Sequence, residues 1–278
     1  MIRAGVMGWP VEHSRSPLLH GFWLKQHGID GAYELLPVPP EDLEAALRGL
    51  AAQGFAGCNL TVPHKQAALA IVDEVDAMAA RIGAVNTVIV RRDGSLEGRN
   101  TDAFGFRQNL RAAQPAWRAS AGPAVVLGAG GAAHAVVYGL IGRGVGRIII
   151  VNRTRSRAEV LRERFGSRVH VAEWGDAAVL ADAGLLVNAT TLGMAGQPEL
   201  PIDVKRLAGH AVVADLVYVP LRTPLLRAAH ERGLRTADGL GMLLHQAVRG
   251  FALWFGKTPE VTGELRGLVE ADLGSSAA

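Results

Sequence analysis

An amide, a hydroxyl and an ammonium crowd into Gly57-Cys58-Asn59-Leu60-Thr61-Val62-Pro63-His64-Lys65. The residues Gly54 to Val62 read as a short buried strand, so these groups fall at its end, where a polar small molecule can be held and protonated. Pro63 suits the first position of a helix, and the pattern predicts a helix from there through Ile71, Val72, Val75 and Met78 to Gly83. Lys65 then sits in a first turn, where the partial positive charge of the helix N-terminus opposes an ammonium. Proton transfer is one reason to place a lysine there; a solvated lysine beside a turn is the other. The company it keeps favours the first reading. Lys25, Lys65, Lys205 and Lys257 are the chain's four lysines, and the remaining positive charge comes from arginine, which does not titrate in proteins.

A second constellation is Val125-Val126-Leu127-Gly128-Ala129-Gly130-Gly131-Ala132-Ala133, a strand followed by a G-x-G-x-x-A turn and an apolar helix. That is the dinucleotide-binding fingerprint with alanine in its last place, and strand and helix flank it on the correct sides. At the end of the next strand, Ile148 to Val151, an NAD-preferring protein carries Asp or Glu for the adenosine ribose. This chain has Asn152-Arg153-Thr154 instead, with Arg157 one turn on. A carboxylate repels a 2′-phosphate, whereas Arg153 and Arg157 can pair with it, so the residues favour NADP. Arginines at a helix start also oppose the dipole, a conflict that a nearby anion resolves.

These sites need a scaffold of matching size. The 278 residues, 49% apolar and with 34 glycines, suit an α/β protein of two domains. A net charge of +3 and a pI near 9.3 do not indicate nucleic acid, because aromatics are 5% and no basic cluster interleaves with them. One cysteine, Cys58, excludes an internal disulfide and a cysteine-rich zinc site, which fits a reducing cytoplasm. Met1-Ile2-Arg3-Ala4-Gly5 lacks the apolar region of a secretory signal, so the protein is expected to stay inside the cell. Ala124 to Ile141 is nearly uncharged, but its glycines and His134 argue for a buried strand-turn-helix rather than a membrane span. His13, His20 and His64 lack metal-ligand spacing and read as structural, and Cys58 as a small buried apolar residue, so no metal is expected.

Along the chain, strands are expected at 2–7, 32–37, 54–62, 85–90 and 96–99, with helices at 20–27 and 41–53; Asp93-Gly94 marks a hairpin. Leu96 to Arg99 delivers Asn100-Thr101-Asp102 to the hairpin's end. After a helix from Phe104 and a loop to Pro123, strands at 124–127, 147–151, 169–172, 185–188 and 212–216 alternate with helices, which implies a parallel, doubly wound sheet. Beyond Gly239 the chain is helical, with Gly256 and Pro259 as stop signals and Ser275–Ala278 as a frayed tail. The expected domains are 1–103 with 240–278, and 104–239.

Gly8-Trp9-Pro10-Val11-Glu12-His13-Ser14-Arg15-Ser16-Pro17-Leu18-Leu19-His20 resembles the opening signature of the shikimate dehydrogenases. Further likenesses follow in order: Asn59 to Lys65, Gly83-Ala84-Val85-Asn86-Thr87, Asn100-Thr101-Asp102, the glycine turn, Asn152-Arg153-Thr154, Asn188-Ala189-Thr190, Asp215-Leu216-Val217-Tyr218, and Gly239-Leu240-Gly241-Met242-Leu243 with Gln246. The resemblance implies an α/β substrate domain completed by C-terminal helices, a Rossmann-type NADP domain, and interconversion of shikimate and 3-dehydroshikimate in aromatic precursor (chorismate) synthesis. It implies that Ser14 and Ser16 bind the substrate carboxylate, that Thr61, Asn86, Asp102, Tyr218 and Gln246 surround the ring, and that Lys65 and Asp102 form the catalytic pair. Gly128, Ala129, Gly130, Gly131, Ala132, Asn152, Arg153, Thr154, Arg157, Leu216 and Gly239 are implied to line the cofactor. Gly21, where many members have Asn, and Ala77, where several have an acidic residue, depart from the pattern.

The chemistry agrees with those residues. Oxidising a secondary alcohol with a nicotinamide needs an acid/base and no metal, which Lys65 supplies. Asp102 favours the charged lysine while burial and the dipole favour the neutral one, so the two are read as a dyad. Ser14 and Ser16, two apart in an extended loop, put both hydroxyls on one side, although two serines before a proline otherwise read as turn chemistry. Two rivals remain: an NAD-using quinate or quinate/shikimate dehydrogenase, and a noncatalytic NADP- or shikimate-sensing protein. The sequence leaves oligomeric state open, a homodimer included.

Overall fold

The computed structural model describes residues 1–275, and its contacts divide them into two units: 1–102 with 244–269, and 103–243 with 270 onward. Against the expected 1–103 with 240–278, residues 103, 240–243 and 270 onward group with the second unit. Of the tail expected at 275–278, Ser275 ends a helix and the rest lies outside the described residues.

In the first unit the chain runs β1 (Ile2–Gly8), α1 (Ser16–Gln26), β2 (Gly31–Pro37), α2 (Leu43–Arg48), β3 (Phe55–Leu60), β4 (Glu74–Val75), α3 (Ala77–Ile82), β5 (Thr87–Val90) and β6 (Leu96–Arg99). The sheet order is β2-β1-β3-β5-β6-β4, with β1 parallel to both β2 and β3 and the β5–β6 hairpin antiparallel. Gly94, at φ 85°, makes that turn, as Asp-Gly foretold. One sheet face buries Leu43, Leu47, Phe55, Cys58, Leu60 and Val88 together.

Two helices are shorter than the periodicity predicts. The run expected at 41–53 is a 3-10 turn at Pro40–Asp42 followed by α2, because the chain must reverse through Gly54, at φ 74°, to enter β3. The helix expected from 63 to 83 is broken into turns, a 3-10 segment at Ala67–Ala70, β4 and α3. Its ladder is diverted: the Val85 N–H donates to the Lys65 carbonyl at 2.7 Å, β4 pairs with β6, and the Asp76 carboxylate caps a new helix by accepting from Ala79 N–H at 2.6 Å. Lys65 therefore lies in a turn, and no helix dipole acts on it as expected.

The chain passes along α4 (Asp102–Ala113) into the second unit, with β7 (Ala124–Leu127), α5 (Gly131–Gly142), β8 (Ile148–Val151), α6 (Arg155–Phe165), β9 (Val169–Ala172), β10 (Leu185–Asn188), β11 (Val212–Asp215), α7 (Pro224–Glu231) and β12 (Arg235–Ala237). The sheet is parallel throughout, in the order β12-β11-β10-β7-β8-β9. Its strands β7 and β8 are apolar and buried at every position because both faces are covered. Val126, Ile150 and Val187 pack with α5 and α6, whereas Val125, Ile149 and Leu186 pack with α7. The sequence pattern places neither α7 nor the strand it leads to, β12, although Thr223 caps α7 and Pro224 begins it.

The last helices are α8 (Gly239–Phe255) and α9 (Gly263–Ser275). Phe251 and Trp254 of α8 join His20 and Trp23 of α1 and Tyr33 of β2 in an aromatic cluster of the first unit. The Trp254 indole donates to the Val88 carbonyl at 3.0 Å, passing over Gly57. A Cβ on Gly57 would lie 2.0 Å from that carbonyl and 2.4 Å from the indole nitrogen, and φ is 151°, so only glycine fits. Among the described residues no helix is long and apolar enough to cross a membrane, and Ala124–Ile141 is β7, its turn and α5.

Candidate active site

In the first unit the turn after β3 carries Lys65, and the residue after the β6 exit carries Asp102, at the start of α4. The Lys65 ammonium lies 2.5 Å from Asp102 Oδ2, with the side chains 16% and 6% exposed. Asp102 Oδ1 accepts from Asn86 Nδ2 at 2.8 Å. Asn86 Oδ1 in turn accepts from the Thr101 backbone N–H at 2.7 Å and from the Thr87 hydroxyl at 3.0 Å. Gln246 Oε1, from α8, accepts from the Thr101 hydroxyl at 3.2 Å. The carboxylate is thus held by an amide donor on one oxygen and the ammonium on the other, while the ammonium stays partly open to solvent.

Lys65, Asn86, Asp102 and Gln246 are therefore brought together. Thr61 follows β3 half-buried, its methyl so close to Gly8 that a Cβ there would come within 2.3 Å. Ser14 and Ser16 are not the extended pair expected. Ser16 is the first residue of α1, and the Ser14 hydroxyl accepts its backbone N–H at 3.3 Å, the turn bond of a serine before a helix, which leaves the Ser14 proton to donate elsewhere. Asn59 also differs from expectation: it is 5% exposed and its amide is spent inside the protein, accepting from the Tyr33 hydroxyl at 2.6 Å and donating to the Asn86 carbonyl at 3.0 Å. Thr87 and Thr101 are network members that the sequence reading did not single out; their place beside Asn86 and Asp102 in two short motifs was the available signal.

Of the discounted residues, His20, His64 and Cys58 are buried and His13 is exposed. His20 is 0% exposed, stacked on Tyr33 at 3.8 Å, with both ring nitrogens lacking a hydrogen-bond partner; burial pushes its pKa down to about 3. The His64 ring bonds the Val38 carbonyl, and burial lowers its pKa, while burial pushes the Cys58 thiol up. Among the described residues no group of three or more His, Cys, Asp or Glu could hold a metal ion. The departing residues Gly21 and Ala77 are both exposed.

In the second unit, Gly128 leaves β7 at φ 106°, and a Cβ would press on the Ala189 carbonyl at 3.0 Å. Gly130 precedes α5, with Gly131 its first residue, and a Cβ at Gly130 would meet nothing. Ala129 is buried and Ala132 half-buried. The free amides of the α5 start therefore face an open cradle suited to a pyrophosphate. Beyond β8, the Asn152 amide donates to the Thr154 carbonyl at 2.8 Å, and Arg153 and Arg157 are exposed. Arg155 differs: it pairs with Glu159 and Glu173. Tyr218 and Leu216 follow β11 in this unit, and Gly239 begins α8 so near Leu216 that a Cβ would come within 2.3 Å of its carbonyl. Asp215 anchors this loop by accepting from Thr223, Asn188 and the Val217 N–H at 2.6, 2.9 and 3.0 Å; burial raises its pKa to about 6.

Comparison with known proteins agrees with this arrangement. Residues 6–88 match the shikimate dehydrogenase substrate binding domain, 112–193 the shikimate/quinate 5-dehydrogenase model, and 239–262 the shikimate 5′-dehydrogenase C-terminal domain. The shikimate dehydrogenase (NADP(+)) of Paramagnetospirillum magneticum is 57% identical over 96% of this chain and 97% of its own, and that of Rhodospirillum rubrum 56% identical over 96% of each. Among solved structures, the Thermus thermophilus shikimate 5-dehydrogenase in complex with NADP(H) and shikimate superposes with a TM-score of 0.87 at 40% identity, covering 98% of this chain and all of that one. A quinate dehydrogenase from Corynebacterium glutamicum in complex with NAD gives 0.88 at 34% identity, covering 97% and 99%. With the similarity running through both units at this level, the chain belongs to the shikimate dehydrogenase family.

Proposed function

We propose that the chain catalyses the NADP-dependent, reversible reduction of 3-dehydroshikimate to shikimate, a step in cytoplasmic synthesis of aromatic precursors. The observation that carries the reading is the 2.5 Å contact of Lys65 with Asp102, held by Asn86, in a chain whose full-length relatives bear this activity in their names. NADP, when bound, supplies the hydride exchange at carbon. Lys65 handles the proton: in the reducing direction its ammonium protonates the developing alkoxide oxygen, and in the oxidising direction its amine accepts the hydroxyl proton. Asp102 holds the lysine in place through the 2.5 Å ion pair. The lysine's residual exposure lets it exchange that proton with solvent afterwards.

The substrate residues come mainly from the first unit and the cofactor residues from the second. Ser14 and Ser16 bind the carboxylate, and Thr61, Asn86, Asp102, Tyr218 and Gln246 bind the ring hydroxyls. Gly128 to Ala132 cradle the pyrophosphate, Asn152, Arg153, Thr154 and Arg157 the 2′-phosphorylated ribose, and Leu216 and Gly239 line the cofactor further on. The open face at Gly130 and the arginines beyond β8 fit such a group.

The test is the initial rate of NADP reduction with shikimate, beside the NAD and quinate combinations and a Lys65→Ala control. Rapid turnover with NADP and shikimate, lost in the control, is expected. Preference for NAD with quinate overturns the substrate and cofactor reading, and binding of both ligands without turnover overturns the enzyme reading.

A further inference from the structure

Behind the Lys65–Asp102 pair a line of side chains runs from the aromatic cluster to the carboxylate, and its direction is set by the Asn86 backbone carbonyl. The Asn86 backbone carbonyl only accepts, so the amide group that faces it at 3.0 Å is Asn59 Nδ2. Asn59 Oδ1 must then face the Tyr33 hydroxyl, which donates at 2.6 Å. The same Nδ2 donates to Thr87 Oγ1 at 3.2 Å, so the Thr87 proton points onward, to Asn86 Oδ1 at 3.0 Å in preference to the Thr101 hydroxyl at 3.3 Å. With Oδ1 so engaged, and held also by the Thr101 N–H, Asn86 presents Nδ2 to Asp102. Tyr33, Asn59, Thr87 and Asn86 are all under 9% exposed, so water does not substitute for a missing link.

Resting on the proposed dehydrogenase reading, we propose that Thr87 is a positioning residue for the reaction: through Asn86 it keeps the Asp102 carboxylate aimed at Lys65, at the end of a one-way hydrogen-bond chain begun by Tyr33. Thr87 touches neither Lys65 nor Asp102, and its effect passes through the Asn86 amide. Loss of its hydroxyl leaves Asn86 Oδ1 held only from the Thr101 side, by that residue's N–H at 2.7 Å and its hydroxyl at 3.3 Å, and leaves Asn59 Nδ2 one acceptor short.

The experiment compares the full chain with Thr87→Val, which keeps the side-chain shape and removes the hydroxyl, Thr87→Ser, which restores it, and Tyr33→Phe, which breaks the chain at its first donor. Steady-state rates with NADP and shikimate are read beside hydrogen exchange of the Asn86 side-chain amide by NMR. Expected for Thr87→Val is a fall in kcat of about 10-fold with the KM for shikimate within about 3-fold, Asn86 exchange faster by about 10-fold, and recovery of both in Thr87→Ser. Tyr33→Phe shows the same split at smaller amplitude, and carries the test if the valine variant does not fold. Unchanged kcat and exchange in both variants, a loss that Thr87→Ser does not restore, or a KM rise matching the kcat loss overturns the proposal. If the parent chain itself does not turn over, the dehydrogenase reading fails, and the Asn86 exchange still decides whether Thr87 holds that amide.

Discussion

Lys65 Nζ and Asp102 Oδ2 lie 2.5 Å apart although the two residues are 37 positions apart in sequence and leave different strands. Their approach is set by the backbone: the Lys65 carbonyl is bonded by Val85 N–H, and Asp102 follows directly on Thr101, whose N–H is bonded by Asn86. The pair is thus the product of β3, β5 and β6 lying side by side.

Lys65→Ala removes the proton carrier while the groups proposed to hold the substrate stay in place. Turnover is expected to fall by about 10²-fold or more, with shikimate binding by calorimetry changed by less than about 3-fold. Near-normal turnover refutes the role.

Arg153 and Arg155 share one helix start but differ in engagement, since Arg155 is paired with Glu159 and Glu173. Arg153→Ala is expected to raise the KM for NADP by about 10-fold or more, the value of a charge-assisted contact, and to leave NAD nearly unaffected. Arg155→Ala should discriminate little between the cofactors. Equal losses for both cofactors in Arg153→Ala contradict a 2′-phosphate contact.

The glycines of the turn after β7 separate folding from binding. Gly130→Ala meets open space at φ −87°, so thermal stability should stay within a degree or two while NADP binding weakens by about 10-fold, because the added methyl faces the cradle. Gly128→Ala, at φ 106° against the Ala189 carbonyl, should lower the melting temperature outright. A Gly130→Ala protein with unaltered NADP affinity rules out a pyrophosphate at that spot.

Buried His20 and Asp215 tilt stability in opposite directions with pH. His20 has a pKa depressed to about 3, so its contribution is present above the ordinary value of 6.5 and is lost as pH falls toward 3. His20→Phe keeps a ring against Tyr33 and removes the titration; relative to the parent it should gain about 2 kcal/mol between pH 8 and pH 5, measured by denaturant unfolding. Asp215 has a pKa raised from 3.8 to about 6, so its contribution is present below 3.8 and is lost as pH rises through 6. Asp215→Asn should flatten that fall between pH 4 and 6. Parallel parent and variant curves in either case mean that the group does not titrate as its burial implies.

The parallel sheet of the second unit was legible along the chain because strands buried on both faces are runs such as Ile148-Ile149-Ile150-Val151, and glycines at φ > 0 mark where they turn. The Asp93-Gly94 hairpin and the start of α8 were readable for the same local reason. The helix expected after Pro63 was not, because apolar spacing there met a competitor the sequence does not display: the Val85 N–H, which takes the Lys65 carbonyl, and β6, which pairs with β4. Ser14 likewise turned out to cap a turn by a bond of its own.

By itself the sequence determined the residue types available for proton transfer and for anion binding, the alternation of strands and helices, and the turns that glycine alone can make, since these depend on neighbours a few positions away. Only the tertiary structure decided that Lys65 meets Asp102, that Asn59 turns inward to Tyr33 while Asn86 faces the carboxylate, and that Arg155 is neutralised while Arg153 stays exposed. Those outcomes depend on hydrogen-bond and charge competition among groups far apart in the chain, which is resolved only when the strands are placed side by side.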